Sequence, residues 1–254
     1  MKETPGWKDL LNESLSQSLK ESKDAMTYCL STQSYLKNET KPDSRMLVHR
    51  GFVNERRKID DTSSNSKEIG SGVALVACTD IRSSKVDQIV DRNSASDQEG
   101  RMSSICWWLE PKGEQFRICA QTYIIPPKSR ESTFPKLSKH DSKRLGPLDD
   151  TDHAEEKNQF DWEDERLRIF EKLSPELKAS FLRPSPGSVL RDDPKDWPSR
   201  LDDQLLYDRA LDNFALLIFD PVYVDLVKLK VQPHQRITWT KNSDEEWVEQ
   251  KLVP

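Results

Sequence analysis

The segment TDIRSSK places hydroxyl and amine side chains in a spacing that could bind a dianionic phosphate. Thr79 ends a predicted strand, and Ser83, Ser84 and Lys85 begin a predicted short helix. The first N–H groups of a helix have no partner within the helix and therefore attract anions, to which Lys85 would add a positive charge. The alternative is that these are ordinary solvated residues at the end of a strand.

Two arginines in the segment SRMLVHRGF could supply further positive charge. Arg45 and Arg50 are five positions apart. In a regular strand that odd offset places them on opposite faces, unless a bulge or a twist intervenes. As for the previous segment, the alternative is a pair of solvated charges at strand ends.

Several other kinds of site are excluded. The chain has 8 Gly and neither a G-x-G-x-x-G nor a G-x-x-x-x-G-K-[ST] motif, so a phosphate would depend on cationic side chains. It has no G-x-S-x-G or H-E-x-x-H motif, which argues against a hydrolytic site. Cys29, Cys78, Cys106 and Cys119 form no C-x-x-C pair. We therefore predict no metal site and expect buried free thiols at Cys78 and Cys119.

The composition indicates a folded core diluted by polar segments. The 254 residues include 39 Lys and Arg against 44 Asp and Glu, a net charge of −5, which argues against nucleic-acid binding. No apolar run approaches the roughly 18 residues of a membrane span, and the N-terminus lacks a signal-peptide pattern, so we expect a cytoplasmic protein that binds no membrane. Hydrophobic residues make up only 34%, but 7 Trp, 8 Phe and 5 Tyr indicate a packed core.

Three polar stretches account for the dilution. They are Arg56–Gly70, Pro126–Asp161 and Arg191–Ala210, which we predict to be loops because they have too few apolar residues to offset the entropy lost on ordering. The rest is the size of one ordinary domain. We therefore interpret residues 1–254 as a single domain with three insertions.

The periodicity predicts mainly strands. The β-rich runs are Met26–Ser31, Arg45–Phe52, Val73–Thr79, Ser103–Glu110, Gln115–Ile125, Phe214–Phe219, Val222–Val231, Arg236–Thr240 and Trp247–Leu252. Helices are predicted from Thr4-Pro5 (with Trp7, Leu11, Leu15 and Leu19 on one face), from Ser83, over Trp162–Lys172 and over Ser174–Leu182. Because strands follow one another in short-linked pairs, we predict an α+β fold: an antiparallel barrel or sandwich with peripheral helices.

The tryptophans are expected to be structural. Trp107 and Trp108 should point to opposite faces of one strand, so that one packs inside and the other could lie at a dimer interface. Trp239 and Trp247 are expected in the barrel core and in cross-strand pairs.

The ordered segments resemble a known family. SRMLVHRGF, VACTDIRSSKVDQI, WWLEPKGEQFRI, NFALLIFDPVYVDLVKL and HQRITWTKNSDEEWVEQKLVP occur in the order found in pyridoxamine 5′-phosphate oxidase-like flavoproteins, in the branch described as FMN-binding domain. The resemblance covers about 180 residues and leaves out the three polar stretches. It implies a mainly antiparallel FMN-binding split β-barrel that forms a homodimer, with FMN at the subunit interface.

The resemblance also implies which residues bind FMN. They are Arg45, Arg50, Thr79, Ser83, Ser84, Lys85, Gln115 and Arg236. Arg45 would bind the phosphate, Gln115 would approach the flavin ring from the partner subunit, and Arg236 would lie near the pyrimidine end of the ring. The chain departs from the family pattern where Cys78 replaces a tyrosine, Ser84 an arginine and Arg50 a lysine.

Resemblance on the substrate side is weaker. Arg183 and Ser188 fall near the family's arginine and serine for the substrate phosphate. The Arg-x-His pair of the oxidase becomes Gln232-Pro233-His234, which keeps only the histidine, and the alternative for His234 is a surface residue beside proline. The tryptophan that the oxidase places against the flavin is replaced by an aliphatic residue near Leu226-Val227.

Three functions are consistent with these residues. The leading hypothesis is an FMN-dependent oxidoreductase that passes hydride from a small amine or phosphorylated pyridoxine-type substrate to flavin. One alternative is a non-catalytic flavin-binding or interaction module, which the altered substrate residues favour. Another is a nicotinamide-dependent flavin reductase. No residue is predicted as a catalytic nucleophile.

Overall fold

The computed structural model describes residues 5–36, 39–55, 72–90, 100–145 and 160–254. The predicted loop Arg56–Gly70 lies outside these residues, as does part of Pro126–Asp161. The strands are β1 (Thr27–Leu36), β2 (Glu39–Val48), β3 (Leu75–Asp80), β4 (Arg101–Leu109), β5 (Glu114–Ile125), β6 (Phe214–Lys228), β7 (Gln235–Lys241) and β8 (Trp247–Leu252). The α-helices are α1 (Gly6–Ser18), α2 (Ser84–Ile89), α3 (Lys139–Leu145), α4 (Trp162–Glu171), α5 (Pro175–Ser180) and α6 (Gln204–Leu211). Short 3₁₀ helices occur at Lys23–Met26, Glu110–Lys112, Lys128–Thr133 and Pro194–Asp196.

The eight strands form one antiparallel sheet, as the sequence predicts. Its order is β2-β1-β4-β5-β6-β7-β8, with β3 also paired to β6. One edge of β6 pairs first with β3, over Phe214–Phe219, and then with β7, over Tyr223–Lys228. The sheet therefore branches in the middle of β6.

A bulge in β6 explains a difference from the prediction. Two separate runs were expected at Phe214–Phe219 and Val222–Val231, whereas β6 is one strand of 15 residues. Its pairing with β5 shifts register where Ala120 faces Pro221 and Cys119 faces Tyr223. Because proline has no N–H to donate to a ladder, a local bulge lets the strand continue through it.

Two apolar clusters lie on the two sides of this sheet. The first contains Trp107, Phe116 and Leu226 and is covered by the apolar face of α1. The second contains Phe214 and Phe170 and is covered by α4 and α5. The predicted stripe of α1 is confirmed, although Pro5 occupies the N-cap position and the helix begins at Gly6.

The tryptophans divide between core and surface. Trp107 is 0% exposed and Trp108 41% exposed, as strand alternation predicts. Trp239 is buried, but it does not pair with Trp247 across the hairpin, because Trp239 faces Glu249 and Trp247 faces Lys241 in the register. Trp247 instead packs edge-on against Trp7 of α1, with ring centroids 5.6 Å apart.

Two of the predicted loops contain helices. Within Pro126–Asp161, the described residues form a 3₁₀ helix and α3, and Leu145 of α3 is 3% exposed in the second cluster. Within Arg191–Ala210, α6 begins after Asp203, whose carboxylate accepts a hydrogen bond from the backbone N–H of Leu206 at 2.8 Å. The loop prediction is wrong for these helical residues, because a few well-placed apolar side chains are enough to dock a short helix.

A buried ionic cluster holds α3 against β6. Arg144 pairs with Asp220, and with Asp141 at 2.8 Å, while Lys241 contacts Asp220 at 3.2 Å. Asp220 is 2% exposed. A carboxylate so buried needs its cationic partners, because an uncompensated buried charge is strongly unfavourable.

Among the described residues, none of the helices has both the length and the apolar character needed to cross a bilayer.

We expect Arg144→Met to lower the free energy of unfolding by about 2–4 kcal/mol, because it leaves Asp220 with Lys241 alone. Urea unfolding would measure the change. Arg200→Met is the matched control, because Arg200 pairs with Asp202 at the surface and its removal should change stability by less than about 0.5 kcal/mol. Equal losses in the two variants would contradict the role given to the buried cluster.

Candidate functional site

A cleft of about 520 Å³ lies where the ends of β2 and β3 meet α2, α5 and the loop that follows α5. Its lining includes Arg50, Thr79 and Lys85 from the predicted cofactor site and Arg183 and Ser188 from the predicted substrate site. These residues are up to 138 positions apart in the chain. The fold therefore brings together two sets that sequence reasoning had assigned separately.

Lys85 lies at the centre of a small hydroxyl cluster. Its Nζ donates to Thr79 Oγ1 at 3.1 Å and to Ser83 Oγ at 3.0 Å, and the two hydroxyls lie 3.0 Å apart. Ser83 is the N-cap residue of α2, as predicted, but its side chain makes no capping hydrogen bond and instead contacts Lys85. Ser84, the first residue of α2, is exposed.

Burial and a nearby like charge both act on Lys85. Loss of solvation lowers the pKa of its amine, and the guanidinium of Arg45 lowers that pKa further. Both effects disfavour the charged amine, so an anion bound at this position would relieve them.

Arg45 lies on β2 and faces the next turn of α2. It donates to Thr32 Oγ1 at 2.5 Å and to Gln88 Oε1 at 2.7 Å, and it forms an ion pair with Asp43 at 2.8 Å. Gln88 follows Lys85 by one helical turn, so Arg45 and Lys85 meet the same face of α2. Arg45 is not among the residues that line the cleft.

Arg50 enters the cleft from beyond the end of β2. The strand ends at Val48, so the expectation that Arg45 and Arg50 lie on opposite faces of one strand does not apply to Arg50. Its backbone N–H bonds to Val76 O at 2.8 Å. Its Nε is buried and has no hydrogen-bond partner among the described residues. Burial raises the pKa of the neighbouring Cys78 thiol, while Arg50 acts in the opposite direction.

The loop after α5 closes the other side of the cleft and is anchored by Arg82. The Arg82 guanidinium binds Asp80 through two hydrogen bonds of 2.9 and 2.6 Å. Its Nη2 also donates to the carbonyls of Phe181 at 3.2 Å and Arg183 at 2.9 Å. Arg82 is not among the site residues predicted from the sequence, because the two carbonyls that it holds are about 100 positions away.

Trp197 is a second residue that sequence reasoning missed. It lines the cleft, and the Arg183 guanidinium lies 5.6 Å from its ring centroid. Nε1 of Trp197 and Nε of Arg183 are both buried without a hydrogen-bond partner among the described residues. No local motif marks Trp197 in the sequence.

The remaining predicted residues lie outside the cleft. Gln115 and Arg236 flank Val227 on three adjacent strands, and Arg236 binds Asp225 through hydrogen bonds of 3.1 and 2.9 Å. His234 is exposed in the β6–β7 connection, within 3.3 Å of Gln232. Among the described residues that line the cleft, none of these three is included.

The cleft has an excess of positive charge. Arg50, Lys85 and Arg183 line it, and the acidic side chain in its wall, Asp80, is paired with Arg82. Hydroxyls and N–H donors complete a lining that suits an oxyanion. The described residues contain no group of three or more metal-ligating side chains, and their four cysteines are free, with Cys106 exposed and the other three partly buried.

Comparison with known proteins identifies the fold. A solved structure described as a pyridoxamine 5′-phosphate oxidase-related, FMN binding protein from Nostoc punctiforme PCC 73102 is 21% identical, with a TM-score of 0.63, and the match covers 99% of this chain and 100% of that one. PhzG from Burkholderia lata 383, solved in complex with tetrahydrophenazine-1-carboxylic acid, is 13% identical, with a TM-score of 0.50 over 100% of this chain and 95% of that one. No curated protein matches this chain.

The family is identified through the N-terminal half. Residues 4–126 match the family model described as pyridoxamine 5′-phosphate oxidase, FMN-binding domain. That segment includes Arg45, Arg50, Lys85 and Gln115, whereas Arg183 and Arg236 lie beyond it. Residues 4–126 thus belong to the pyridoxamine 5′-phosphate oxidase FMN-binding domain family, within a split-barrel fold whose cofactor is FMN.

Proposed function

We propose that the protein is an FMN-dependent oxidoreductase that accepts hydride from a small anionic substrate and works as a homodimer with two composite sites. The observation that carries the proposal is the cleft, which Arg50, Lys85 and Arg183 line together. In the part of the chain that the structure describes, Arg50 and Arg183 each have a buried Nε–H without a hydrogen-bond partner. Buried donors are normally satisfied, so the arrangement favours a bound oxyanion.

The residues around Lys85 fit the phosphate of FMN. The amine bonds to two neutral hydroxyls, Thr79 and Ser83, which can also donate to a phosphate. We assign Arg45, Lys85, Thr79 and Ser83 to this end of the cofactor, with Ser84 at the start of α2 beside them. Charge-assisted bonds of this kind contribute roughly 1.5–3 kcal/mol each.

Arg50, Arg183 and Ser188 fit the charged end of a substrate. They line the same cleft, and the surrounding wall includes apolar side chains such as Phe181 and Leu190. The Burkholderia protein binds a ring compound with a carboxylate, and the family's name refers to a phosphorylated pyridoxamine. A planar substrate with a carboxylate or phosphate would match both the charge and the apolar wall.

A second copy of the chain would complete the site. One face of β2, β1 and β4 carries exposed Met46 (62%), Met102 (53%) and Trp108 (41%), and cross-strand pairing brings Met46 and Cys106 to either side of Cys29. Clustered exposed apolar side chains of this kind are typical of interaction surfaces. Gln115, Arg236 and His234 do not line the cleft of their own chain. Pairing of two chains through this face would bring them to the cleft of the partner.

The residues of the chain would bind FMN and the substrate and polarise the flavin ring, without forming a covalent bond to either. FMN, when bound, supplies a two-electron acceptor for hydride. Arg236, whose guanidinium is held by Asp225, would place positive charge near the pyrimidine end of the ring and so favour hydride acceptance. Gln115 can donate or accept along the ring edge. Apolar side chains in the cleft wall, such as Phe181, would reduce the access of water to a bound substrate.

The purified protein should show flavin absorption bands or bind added FMN. Arg45→Ala and Lys85→Ala should each weaken FMN binding by about tenfold or more, because each removes a charge-assisted contact to the phosphate. Titration followed by flavin fluorescence would measure the affinity, and Arg200→Ala, at an exposed pair far along the chain, is the control. Wild-type affinity in both variants would refute the assignment of these residues.

The protein should have twice its chain mass of 29.4 kDa in light scattering. Trp108→Glu should shift it toward the monomer and lower FMN affinity with it, because a charge is placed in the apolar face and the site is composite. Val253→Glu is the control, since Val253 is exposed at the end of the chain. A wild-type monomer that binds FMN would rule out the composite site.

Anaerobic reduction of the bound flavin would test the activity. Pyridoxamine 5′-phosphate, or another amine with an anionic group, should bleach the flavin band, and oxygen should restore it with release of hydrogen peroxide. Bleaching by a reduced nicotinamide cofactor alone would identify a flavin reductase. A flavin that neither class of donor reduces would identify a non-catalytic binding module.

A further inference from the structure

Three residues that line the cleft each have a buried N–H donor without an acceptor among the described residues. They are Nε of Arg50, Nε of Arg183 and Nε1 of Trp197. Two of them belong to cations already considered for the substrate. The indole of Trp197 is a neutral donor, lies outside residues 4–126, and has no counterpart in the resemblance described above.

The local structure turns Trp197 inward. Asp193 caps the 3₁₀ helix Pro194–Asp196 by accepting a hydrogen bond from the Lys195 backbone N–H at 3.0 Å, and Trp197 follows at once. The six residues before Trp197 are exposed, whereas its own side chain is half-buried in the cleft wall. A tight capped turn therefore brings the indole back from the surface to the site.

Trp197 also touches the cation that would hold the substrate. The Arg183 guanidinium lies over its ring, 5.6 Å from the centroid, which is within the range of a cation–π contact. The backbone of Arg183 is held by Arg82 through its carbonyl. Arg183 is thus fixed at one end by a hydrogen bond and at the other by an aromatic face.

We propose that Trp197 is a specificity-determining residue that donates its indole N–H to an oxyanion of the substrate and orients Arg183 beside it. This inference rests on the proposed function only in assuming that the cleft takes the substrate. An indole can donate but cannot accept, so the position favours a carboxylate or phosphate oxygen over any group that donates. A ligand without such an oxygen leaves the buried donors unpaired and is rejected.

Binding to the FMN-loaded homodimer, measured by isothermal titration calorimetry, tests the proposal. Pyridoxal 5′-phosphate and inorganic phosphate probe a phosphate site, benzoate probes a carboxylate site, and pyridoxal is the comparison that has neither a phosphate nor a carboxylate. Trp197→Phe keeps an aromatic ring at this position and removes the indole N–H, and it should weaken binding of the preferred oxyanion by about tenfold. Trp197→Leu should weaken it further, because Arg183 then loses its aromatic support.

The controls separate this role from structure and from cofactor binding. Trp162→Phe removes an indole that bonds to Ser142 away from the cleft, and it should leave the affinity for every probe unchanged. FMN affinity and thermal stability should be unchanged in Trp197→Phe, and pyridoxal binding should not respond to that substitution.

Several outcomes would overturn the inference. Unchanged oxyanion affinity in Trp197→Phe would show that the indole makes no contact, and failure of wild-type protein to bind any of the charged probes would show that the cleft is not an oxyanion site. Because these are binding measurements, they remain decisive if the flavin is not reduced by any donor. If no donor reduces the flavin of the wild-type protein but oxyanion binding depends on Trp197, the oxidoreductase proposal is overturned and the role of Trp197 is supported.

Discussion

The cleft depends on one guanidinium, that of Arg82. By binding both oxygens of Asp80, it balances the negative charge of that carboxylate, which would otherwise offset the cations in the cleft wall. By donating to the carbonyls of Phe181 and Arg183, it also joins the loop after α5 to the end of β3. A single side chain therefore sets both the charge of the site and the position of its second wall, although it does not face the ligand space itself.

The second constraint is the branch in β6. Because β3 and β7 share one edge of that strand, the sheet divides there. The partly exposed side chains of Gln115 and Arg236 lie on β5 and β7, on either side of Val227, whereas the cationic cleft lies at the end of β3. This separation supports the proposed composite site, because neither part alone presents both a phosphate-binding group and a polar edge for a flavin ring.

Most of the secondary structure and the identity of the cleft cations were predictable from short-range patterns in the sequence and from the family resemblance. Alternation identified the strands, the apolar stripe identified α1, and Ser83 marked the start of α2, although its side chain makes no capping hydrogen bond there. The cations Arg50, Lys85 and Arg183 could be named from sequence and from the family resemblance. Their meeting in one cleft could not, since it depends on the folding back of a loop about 100 residues further along the chain.

The errors have the same origin. α3 is short and polar and docks through the distant Asp220, whereas α6 is a short helix with apolar side chains at the end of a long polar stretch. Both therefore lay in segments whose overall composition resembles that of a loop. Trp247 meets Trp7 through the packing of α1 on the sheet, which no hairpin register reveals. Trp197 is conspicuous only once its burial beside Arg183 is seen.

The loop between Arg183 and Trp197 is fastened at its two ends and free at its tip. Gly187, in the middle, has a positive φ of 84° and open space around it, and Val189 beside it is largely exposed. Residues could be added or lost at this tip during evolution without disturbing the anchored ends. Such changes in length would widen or narrow the mouth of the cleft and so alter the size of the ligand that it admits.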